Sequence, residues 1–214
     1  MKLQPKVYYQ VTGGGDGSIR LWNTNRLLEA CCRLLPFQNS DEIPRLIGIS
    51  GGYLSVTSKG VIYSWSPNER WIQLYQDQRL QNGCVMDVRG TRIIFGTKLG
   101  AVLVFSIVHS ATSGIALEVV NDKQLLQSKI FSIHLIESNQ FIVCFSDGLM
   151  ELRNIADGLQ EATAQFILPS IKQRWPSCAN TIKGVVLIGD REGSLHLYSP
   201  HDKVVILITD NIDT

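Results

Sequence analysis

The run Val11-Thr-Gly-Gly-Gly-Asp-Gly17-Ser-Ile-Arg-Leu-Trp22 predicts a β-hairpin. β-branched and aromatic residues dominate the segment up to Thr12, which favours an extended strand. Asp16-Gly17 is a tight-turn pair, and the residues after it alternate between polar and apolar before they end on Trp22. A two-residue turn of this kind needs a positive φ, which glycine adopts without strain. We therefore expect two antiparallel strands joined at Gly17.

The same plan recurs four more times along the chain. The aligned turn glycines are Gly17, Gly60, Gly100, Gly148 and Gly193, at intervals of 43, 40, 48 and 45 residues. The fifth residue after each is Trp22, Trp65, Phe105, Arg153 and Tyr198, respectively. A period of this length with one hairpin per unit is typical of β-propeller blades, in which the aromatic ring fills the wedge between neighbours. Arg153 breaks the pattern.

The predicted fold is all-β, a partial WD-repeat β-propeller of about four and a half blades. The whole segment 1–214 divides into a partial blade at 1–37 and blades at about 44–78, 83–122, 129–168 and 175–210. Too few residues precede the first hairpin for an inner strand, so we expect an unpaired sheet edge and a piece of a longer polypeptide or an incomplete gene model. The alternative is five unrelated hairpins in a β-sandwich.

The segment Asn25–Leu35 has a different pattern. Its apolar residues Leu27, Leu28, Cys31, Leu34 and Leu35 follow helical spacing, and Pro36 would stop a helix. The segment occupies the place of an outer strand. The sequence leaves open whether a short helix replaces that strand or the spacing is a coincidence.

Composition indicates a globular protein and excludes several classes. Of the 214 residues, 44% are hydrophobic, and 20 Lys and Arg balance 19 Asp and Glu, so contact with nucleic acid or a membrane must come from a local patch. The N-terminus has no apolar signal region, and the aliphatic run Val204–Ile208 is only of strand length. Five cysteines without a C-x-x-C pair, and the absence of a glycosylation sequon, favour the cytoplasm. The four scattered histidines predict no metal site.

The sequence predicts no enzyme. A cofactor loop in the run Gly13–Gly17 would need a helix after it, whereas residues 18–22 have strand periodicity. No nucleophile-elbow, P-loop or zinc-protease motif is present. Asp16, Asp147 and residues 190–192 fall in hairpin turns, where carboxylates bond locally, and no pattern pairs them as acid and base. We therefore expect no cofactor.

A loop before the last blade is the candidate contact surface. Lys172, Gln173, Arg174 and Trp175 combine two cations with an aromatic ring, and Arg191 lies in the following hairpin. One interpretation is a solvated loop with Trp175 in the core, and the other is a contact for RNA phosphate or a protein partner.

Three runs resemble the WD repeat-containing protein 6 family. They are the hairpin of residues 11–22, the run Ile167-Leu-Pro-Ser-Ile-Lys-Gln-Arg-Trp175, and the run Gly189-Asp-Arg-Glu-Gly-Ser-Leu-His-Leu-Tyr198. The resemblance extends from about Val11 to Tyr198. The second run is its most specific marker, because the hairpins alone would fit many WD-repeat proteins.

The resemblance implies a non-catalytic partner of an FtsJ-type tRNA methyltransferase. That enzyme would place a 2′-O-methyl group on the wobble nucleotide of the anticodon and would bring S-adenosylmethionine itself. tRNA would be bound directly or through the enzyme, with no role for DNA or a membrane. The main alternative is a general WD-repeat scaffold for protein partners without an RNA role, and an enzyme is the third.

Overall fold

The computed structural model describes residues 9–23, 32–34, 41–43, 45–50, 52–65, 71–81, 84–110, 114–167, 176–182, 185–190, 193–199, 202 and 204–209. These residues form nineteen β-strands and one short 3-10 helix, Gln78–Leu80. The chain divides into two compact units, Met1–Gly83 and Cys84–Thr214. Within each unit the strands form antiparallel sheets in which every strand pairs with its neighbour in sequence.

The first unit contains two sheets. Sheet 1 comprises β1 (Tyr9–Gly13), β2 (Ile19–Asn23) and β3 (Cys32–Leu34). Sheet 2 comprises β4 (Arg45–Ile49), β5 (Gly52–Val56), β6 (Val61–Trp65) and β7 (Ile72–Gln76). Sheet 1 therefore has three strands among the described residues, with β1 and β3 at its edges.

The second unit contains three four-stranded sheets. Sheet 3 comprises β8 (Val85–Arg89), β9 (Arg92–Gly96), β10 (Ala101–Ser110) and β11 (Gly114–Gln124). Sheet 4 comprises β12 (Ile130–Leu135), β13 (Gln140–Phe145), β14 (Leu149–Asn154) and β15 (Ala162–Ile167). Sheet 5 comprises β16 (Pro176–Ile182), β17 (Val185–Asp190), β18 (Leu195–Ser199) and β19 (Val204–Thr209). The fold is an all-β propeller type, as the repeat predicts.

The turn glycines close the hairpins, but by a longer turn than the sequence predicts. Each has a positive φ, between 73° at Gly17 and 87° at Gly148. The Gly100 N–H donates to the Thr97 carbonyl three residues earlier, and the Thr97 N–H donates to the Ala101 carbonyl. The same pair of bonds occurs at Gly17, Gly60 and Gly193. The loop therefore has three residues with glycine at its left-handed last position, so the expected two-residue turn is wrong.

The helical interpretation of Asn25–Leu35 is wrong in the part that the structure describes. Cys32–Leu34 is strand β3, which pairs antiparallel with β2 through Trp22 opposite Cys32. Residues 24–31 and 35–40 lie outside the described residues. The propeller plan thus prevails over the helical spacing, because the ladder of β2 satisfies the backbone of this segment.

Backbone hydrogen bonds tie consecutive sheets together at their hairpin ends. The Ile130 N–H donates to the Thr97 carbonyl at 3.1 Å, and the Ser146 N–H donates to the carbonyl of Lys129 at 2.9 Å. Lys129 and Ile130, at the start of β12, are thus held between the hairpins of sheets 3 and 4. In the first unit, Ile43 bonds the Gly14 carbonyl and Glu42 accepts from Ser58 in the same way.

Glycine also makes room for the residue that follows each of these connections. A Cβ atom at Gly96 would lie 2.6 Å from Ile130 Cγ2, and one at Gly13 would lie 2.8 Å from Ile43 Cγ2. Real Cβ atoms do not approach so closely, so any side chain there would force the two sheets apart. The close approach buries Ile43 and Ile130, which are 5% and 2% exposed.

Apolar clusters fill the space between sheets within each unit. Ile94, Val102 and Val104 of sheet 3 pack with Phe141, Val143 and Phe145 of sheet 4. The opposite face of sheet 4, including Ile142, Met150 and Leu152, packs with Val186, Ile188 and Tyr198 of sheet 5. Trp65 packs against the cluster of Ile19 and Ile43 in the first unit. The aromatic rings Trp65 and Tyr198 therefore occupy the predicted wedge positions.

Arg153 replaces the aromatic ring with a buried polar network. Its Nε donates to Glu151 Oε2 at 2.7 Å and its Nη1 donates to the Leu159 carbonyl at 2.9 Å. Gln165 Nε2 donates to the other oxygen of Glu151 at 2.6 Å. The Arg153 and Glu151 side chains are only 8% and 1% exposed. The guanidinium thus fills the position of the ring and is paired there, as a buried charge must be.

We predict that Gly100→Ala lowers stability more than Gly90→Ala. Both glycines have positive φ, 84° and 60°, so alanine costs each about 1 to 2 kcal/mol in backbone strain. At Gly100 the new Cβ would also lie 2.6 Å from the Ser128 carbonyl oxygen, whereas nothing lies within 4 Å at Gly90. Urea denaturation of the two variants measures the difference, and equal losses would contradict the packing role of Gly100.

We predict that Arg153→Ala is strongly destabilising, by about 3 to 5 kcal/mol, because it leaves Glu151 charged, buried and without its cation. Replacing both residues with leucine should restore part of this loss. Arg20→Ala, which breaks an exposed pair with Asp16, is the matched control and should barely move the unfolding midpoint. Equal midpoints for the Arg153 and Arg20 variants would contradict the buried network.

Candidate interaction surface

The hairpin tips of the first unit carry charges that are already paired. Asp16 accepts from Arg20 Nη2 at 2.6 Å and from the hydroxyl and N–H of Ser18. The bond from Arg20, and then those from Ser18, hold the pKa of Asp16 well below its usual range. On the second tip, Lys59 Nζ lies 2.6 Å from Asp41. These tips therefore present ion pairs to solvent.

The hairpin end of sheets 3 and 4 carries cations and a large apolar side chain. Lys98 and Leu99 form the tip of the sheet 3 hairpin, and the Leu99 side chain is 68% exposed. Gln124 Nε2 donates to the carbonyls of Leu99 and Leu126, so the tip is fixed to the following connection. Lys129 is exposed on that connection. Lys98 and Lys129 thus flank the hydrogen bond between Thr97 and Ile130, beside Leu99.

The predicted contact residues lie outside the described residues. Lys172, Gln173, Arg174 and Trp175 belong to the connection between β15 and β16, and Arg191 to the hairpin between β17 and β18. Their grouping and the position of Trp175 therefore stay predictions. β15 is the last strand of sheet 4 and β16 is the first strand of sheet 5. The loop therefore joins two consecutive sheets, as residues 125–129 join sheets 3 and 4.

One turn carboxylate is paired with a histidine, which sequence analysis missed. His196 Nε2 lies 2.9 Å from Asp190 Oδ2, and the other Asp190 oxygen accepts the N–H of Ser194. Both side chains are fully buried. The pair thus closes the turn of sheet 5 and has no access for a substrate. The alternation of side chains along β18 could have predicted this pair, because it places His196 on the strand next to the turn that contains Asp190.

A second carboxylate, Asp87, joins sheets 3 and 4 close to a partly buried histidine. Asp87 Oδ2 accepts the Leu135 N–H at 2.7 Å, and Oδ1 accepts the N–H of Val88. Burial lowers the pKa of the adjacent His134, and the charge of Asp87 opposes this shift. Asp87 therefore makes a hydrogen bond between sheets 3 and 4.

Neither a metal site nor a phosphate site emerges from the described part of the chain. It contains no group of three or more His, Cys, Asp and Glu side chains able to hold an ion. An open depression of about 410 Å³ lies on sheet 4, lined by Asp157, Gln160, Glu161, Ala162 and Thr163. Its two carboxylates would repel phosphate.

The glycine-rich run Gly13–Gly17 is a hairpin turn. β1 and β2 pair antiparallel on either side of it, with Gly13 opposite Ile19. Strand β2 therefore follows the glycines where a dinucleotide-type or S-adenosylmethionine loop would need the N-terminus of a helix.

Comparisons with known proteins support the fold alone. No known protein family matches the chain, and no curated protein matches its sequence. Among solved structures it is similar to the computationally designed Ika8 protein, with a TM-score of 0.61 and 17% identity over 92% of this chain. It is also similar to the β-propeller Hsv2p of Kluyveromyces lactis, with a TM-score of 0.65 and 11% identity over 92% of this chain. The chain spans 57% and 60% of the lengths of these two structures.

Within the residues placed by the structure, no helix is long and apolar enough to cross a membrane.

We predict that the chain does not bind S-adenosylmethionine, because its glycine-rich run turns between two strands. Titration calorimetry with the cofactor should show no heat beyond that of dilution. Micromolar binding would contradict a scaffold without a cofactor and would point to the chain itself as the enzyme.

Proposed function

We propose that this chain is part of a non-catalytic WD-repeat scaffold for an FtsJ-type tRNA 2′-O-methyltransferase that acts on the anticodon wobble nucleotide. The scaffold role is supported by the propeller fold and by the complete burial of the His196–Asp190 pair. The tRNA role depends on the resemblance carried by residues 11–22, 167–175 and 189–198.

The proposed contact surface, residues 172–175 with Arg191, is chosen on the repeated backbone hydrogen bonds between consecutive sheets. Glu42 and Lys129 are the residues whose carbonyls accept from the next hairpin, through Ser58 and Ser146, and both side chains are exposed. Pro176 pairs with Asp190 as Ile130 pairs with Phe145, so Trp175 corresponds to Lys129 and Arg191 corresponds to Ser146. We therefore expect Trp175 and Arg191 to be neighbours at the hairpin end of sheet 5.

This correspondence favours the contact interpretation of the loop over the core interpretation. Trp175 takes the position that Glu42 and Lys129 occupy in earlier repeats, and both of those side chains are exposed. At such a position the tryptophan ring would face solvent. With Lys172, Arg174 and Arg191 nearby, the ring and the cations would suit stacking on unpaired bases and pairing with phosphates. A nearly neutral chain needs such a local cluster to hold RNA.

A general protein-interaction scaffold without an RNA role is the second candidate. The observation that favours it is Leu99, which is 68% exposed at a tip anchored by Gln124. A rigidly held apolar side chain between lysines suits an acidic protein partner. Affinity purification followed by mass spectrometry separates the two candidates: a tRNA methyltransferase should copurify with the scaffold only under the first.

We predict that Lys172→Glu with Arg174→Glu lowers wobble ribose methylation when the scaffold is otherwise intact. The melting temperature should be nearly unchanged, because exposed loop charges shift stability by less than about 0.5 kcal/mol. Modification mapping of tRNA from cells that carry the variant measures the effect. Undiminished methylation would remove this loop from the functional surface.

Two controls accompany this variant. Lys98→Glu with Lys129→Glu makes the same charge change at the hairpin end of sheets 3 and 4 and should lower methylation less. An equal loss would indicate general electrostatic attraction instead of a local contact. Trp175→Ala tests the core interpretation, since a large loss of stability would show that the ring is buried.

A further inference from the structure

The first hairpin of sheet 3 is closed by two arginines that lie directly opposite each other. Arg89 of β8 pairs with Arg92 of β9 across a two-residue turn, and Gly90 in that turn has a φ of 60°. Glycine with a positive φ at the first of the two positions fits a type II′ hairpin. The Thr91 carbonyl accepts the Ile107 N–H at 2.7 Å, so the turn is also tied to β10. Both arginine side chains therefore project from a fixed backbone.

The repeat does not require charge at this pair. The closing pairs of the equivalent two-residue turns in sheets 2 and 5 are Ile49 with Gly52 and Ile182 with Val185. Like charges directly opposite on neighbouring strands repel, because their Cβ atoms lie only about 4.5 to 5.5 Å apart. The arginine pair of sheet 3 is therefore a cost to folding that the propeller plan does not explain.

Neither arginine has a carboxylate partner in the part of the chain that the structure describes. Arg89 donates through Nη1 to the Leu135 carbonyl of sheet 4 at 3.4 Å, which leaves four of its five N–H groups available. Glu137, two residues beyond Leu135, is exposed, and no ion pair joins it to Arg89. Arg92 is half-buried, and its guanidinium has no hydrogen-bond partner among the described residues. An anion bound between the arginines would relieve both their repulsion and the cost of burying an unpaired charge.

Ser106 extends the arginine pair across β10. It is the partner of Arg92 in the ladder, and alternation places Arg89, Arg92 and Ser106 on one face of sheet 3. This face packs on sheet 4, since Ile94, two residues from Arg92, lies in the cluster that the two sheets share. Glu118 follows in the same row as the partner of Ser106, two strands or about 10 Å from Arg92. The row is thus positive at its arginine end.

We propose that Arg89, Arg92 and Ser106 bind the phosphate of a phosphoserine or phosphothreonine in a partner polypeptide. This inference does not depend on the tRNA role. A phosphate monoester carries a charge of about −1.5 to −2 at pH 7 and three terminal acceptor oxygens. Two planar guanidinium groups can each bond two of these oxygens, and the Ser106 hydroxyl can donate to the third. A carboxylate or a phosphodiester would neutralise only one of the two arginines.

The shape of the site favours a phosphate presented by a polypeptide over a free small molecule. Arg89, Gly90 and Thr91 are exposed, and a Cβ atom built on Gly90 would have no described residue beyond its chain neighbours within 4 Å. Sites for small molecules are concave and bury most of the ligand. A protruding turn can instead hold one charged group of a segment whose other contacts lie on the surrounding surface.

Nuclear magnetic resonance of the arginine Nε–H groups tests the proposal. The probe is the peptide acetyl-Gly-Gly-phosphoserine-Gly-Gly-amide, titrated into the isotope-labelled chain. The Nε–H resonances of Arg89 and Arg92 should shift and saturate, whereas that of Arg153, which is already paired, should not move. Arg89→Gln or Arg92→Gln should weaken binding severalfold. The matched control is Lys98→Gln with Lys129→Gln, which removes two exposed cations elsewhere and should leave binding unchanged.

Each of four other results would overturn the proposal. Equal shifts with the unphosphorylated peptide would show that phosphate is not recognised. Equal weakening by the lysine control would indicate general electrostatic attraction. Inorganic phosphate that binds as tightly as the peptide would identify a site for small anions. Oligouridine that binds more tightly than the peptide through the same arginines would identify RNA as the ligand, without bearing on residues 172–175.

Urea denaturation gives a second readout, which a structural role would reverse. Arg92→Gln should raise the unfolding midpoint at low salt, because it removes the repulsion from Arg89, and the gain should disappear at high salt. Arg20→Gln breaks an exposed pair with Asp16 and should not raise the midpoint. A lower midpoint for Arg92→Gln would show that Arg92 stabilises the fold and would contradict the anion site.

Discussion

At the hairpins of Gly17 and Gly100, the carbonyl three residues before the turn glycine is the atom that joins one sheet to the next. The Thr97 carbonyl accepts from Gly100 within its own hairpin and from Ile130 at the start of the next sheet. One atom thereby fixes a turn and a sheet-to-sheet connection. This arrangement requires the left-handed φ of Gly100 and the missing side chain of Gly96, so two glycines four residues apart are needed for one joint. Gly13 and Gly17 repeat the joint in the first unit.

Buried polar groups add to the contact between sheets where the repeat lacks its aromatic ring. Sheet 4 has Arg153 in place of an aromatic ring and compensates with Glu151, Gln165 and the Leu159 carbonyl. Leu159 has a positive φ of 60°, which aims that carbonyl at the guanidinium and is sustained by its complete burial. Such networks specify one arrangement because every member has a partner. They also engage both charged groups of the pair, Glu151 and Arg153, in structure.

The repeat could be predicted because it depends on backbone geometry that few residues satisfy. Turn glycines with a positive φ mark their own positions, and alternation then defines the strands around them. Side-chain pairs across strands were not predictable in the same way. His196 and Asp190 meet only through the register of β17 and β18. Arg153 breaks the aromatic pattern of the repeat, and its role becomes clear only from its bond to Glu151. At Cys32–Leu34 local helical spacing misled, because pairing with β2 decides the outcome.

The hairpin tips of the two units differ in the side chains that they leave available for binding. In the first unit Asp16 and Lys59 are neutralised by Arg20 and Asp41, so those tips offer little net charge to a partner. In the second unit Lys98 and Lys129 flank an exposed Leu99. The tips of the two units therefore differ in the charge they offer although the whole chain is nearly neutral. A scaffold can vary these displayed side chains freely, because the joint beneath them is made by backbone atoms.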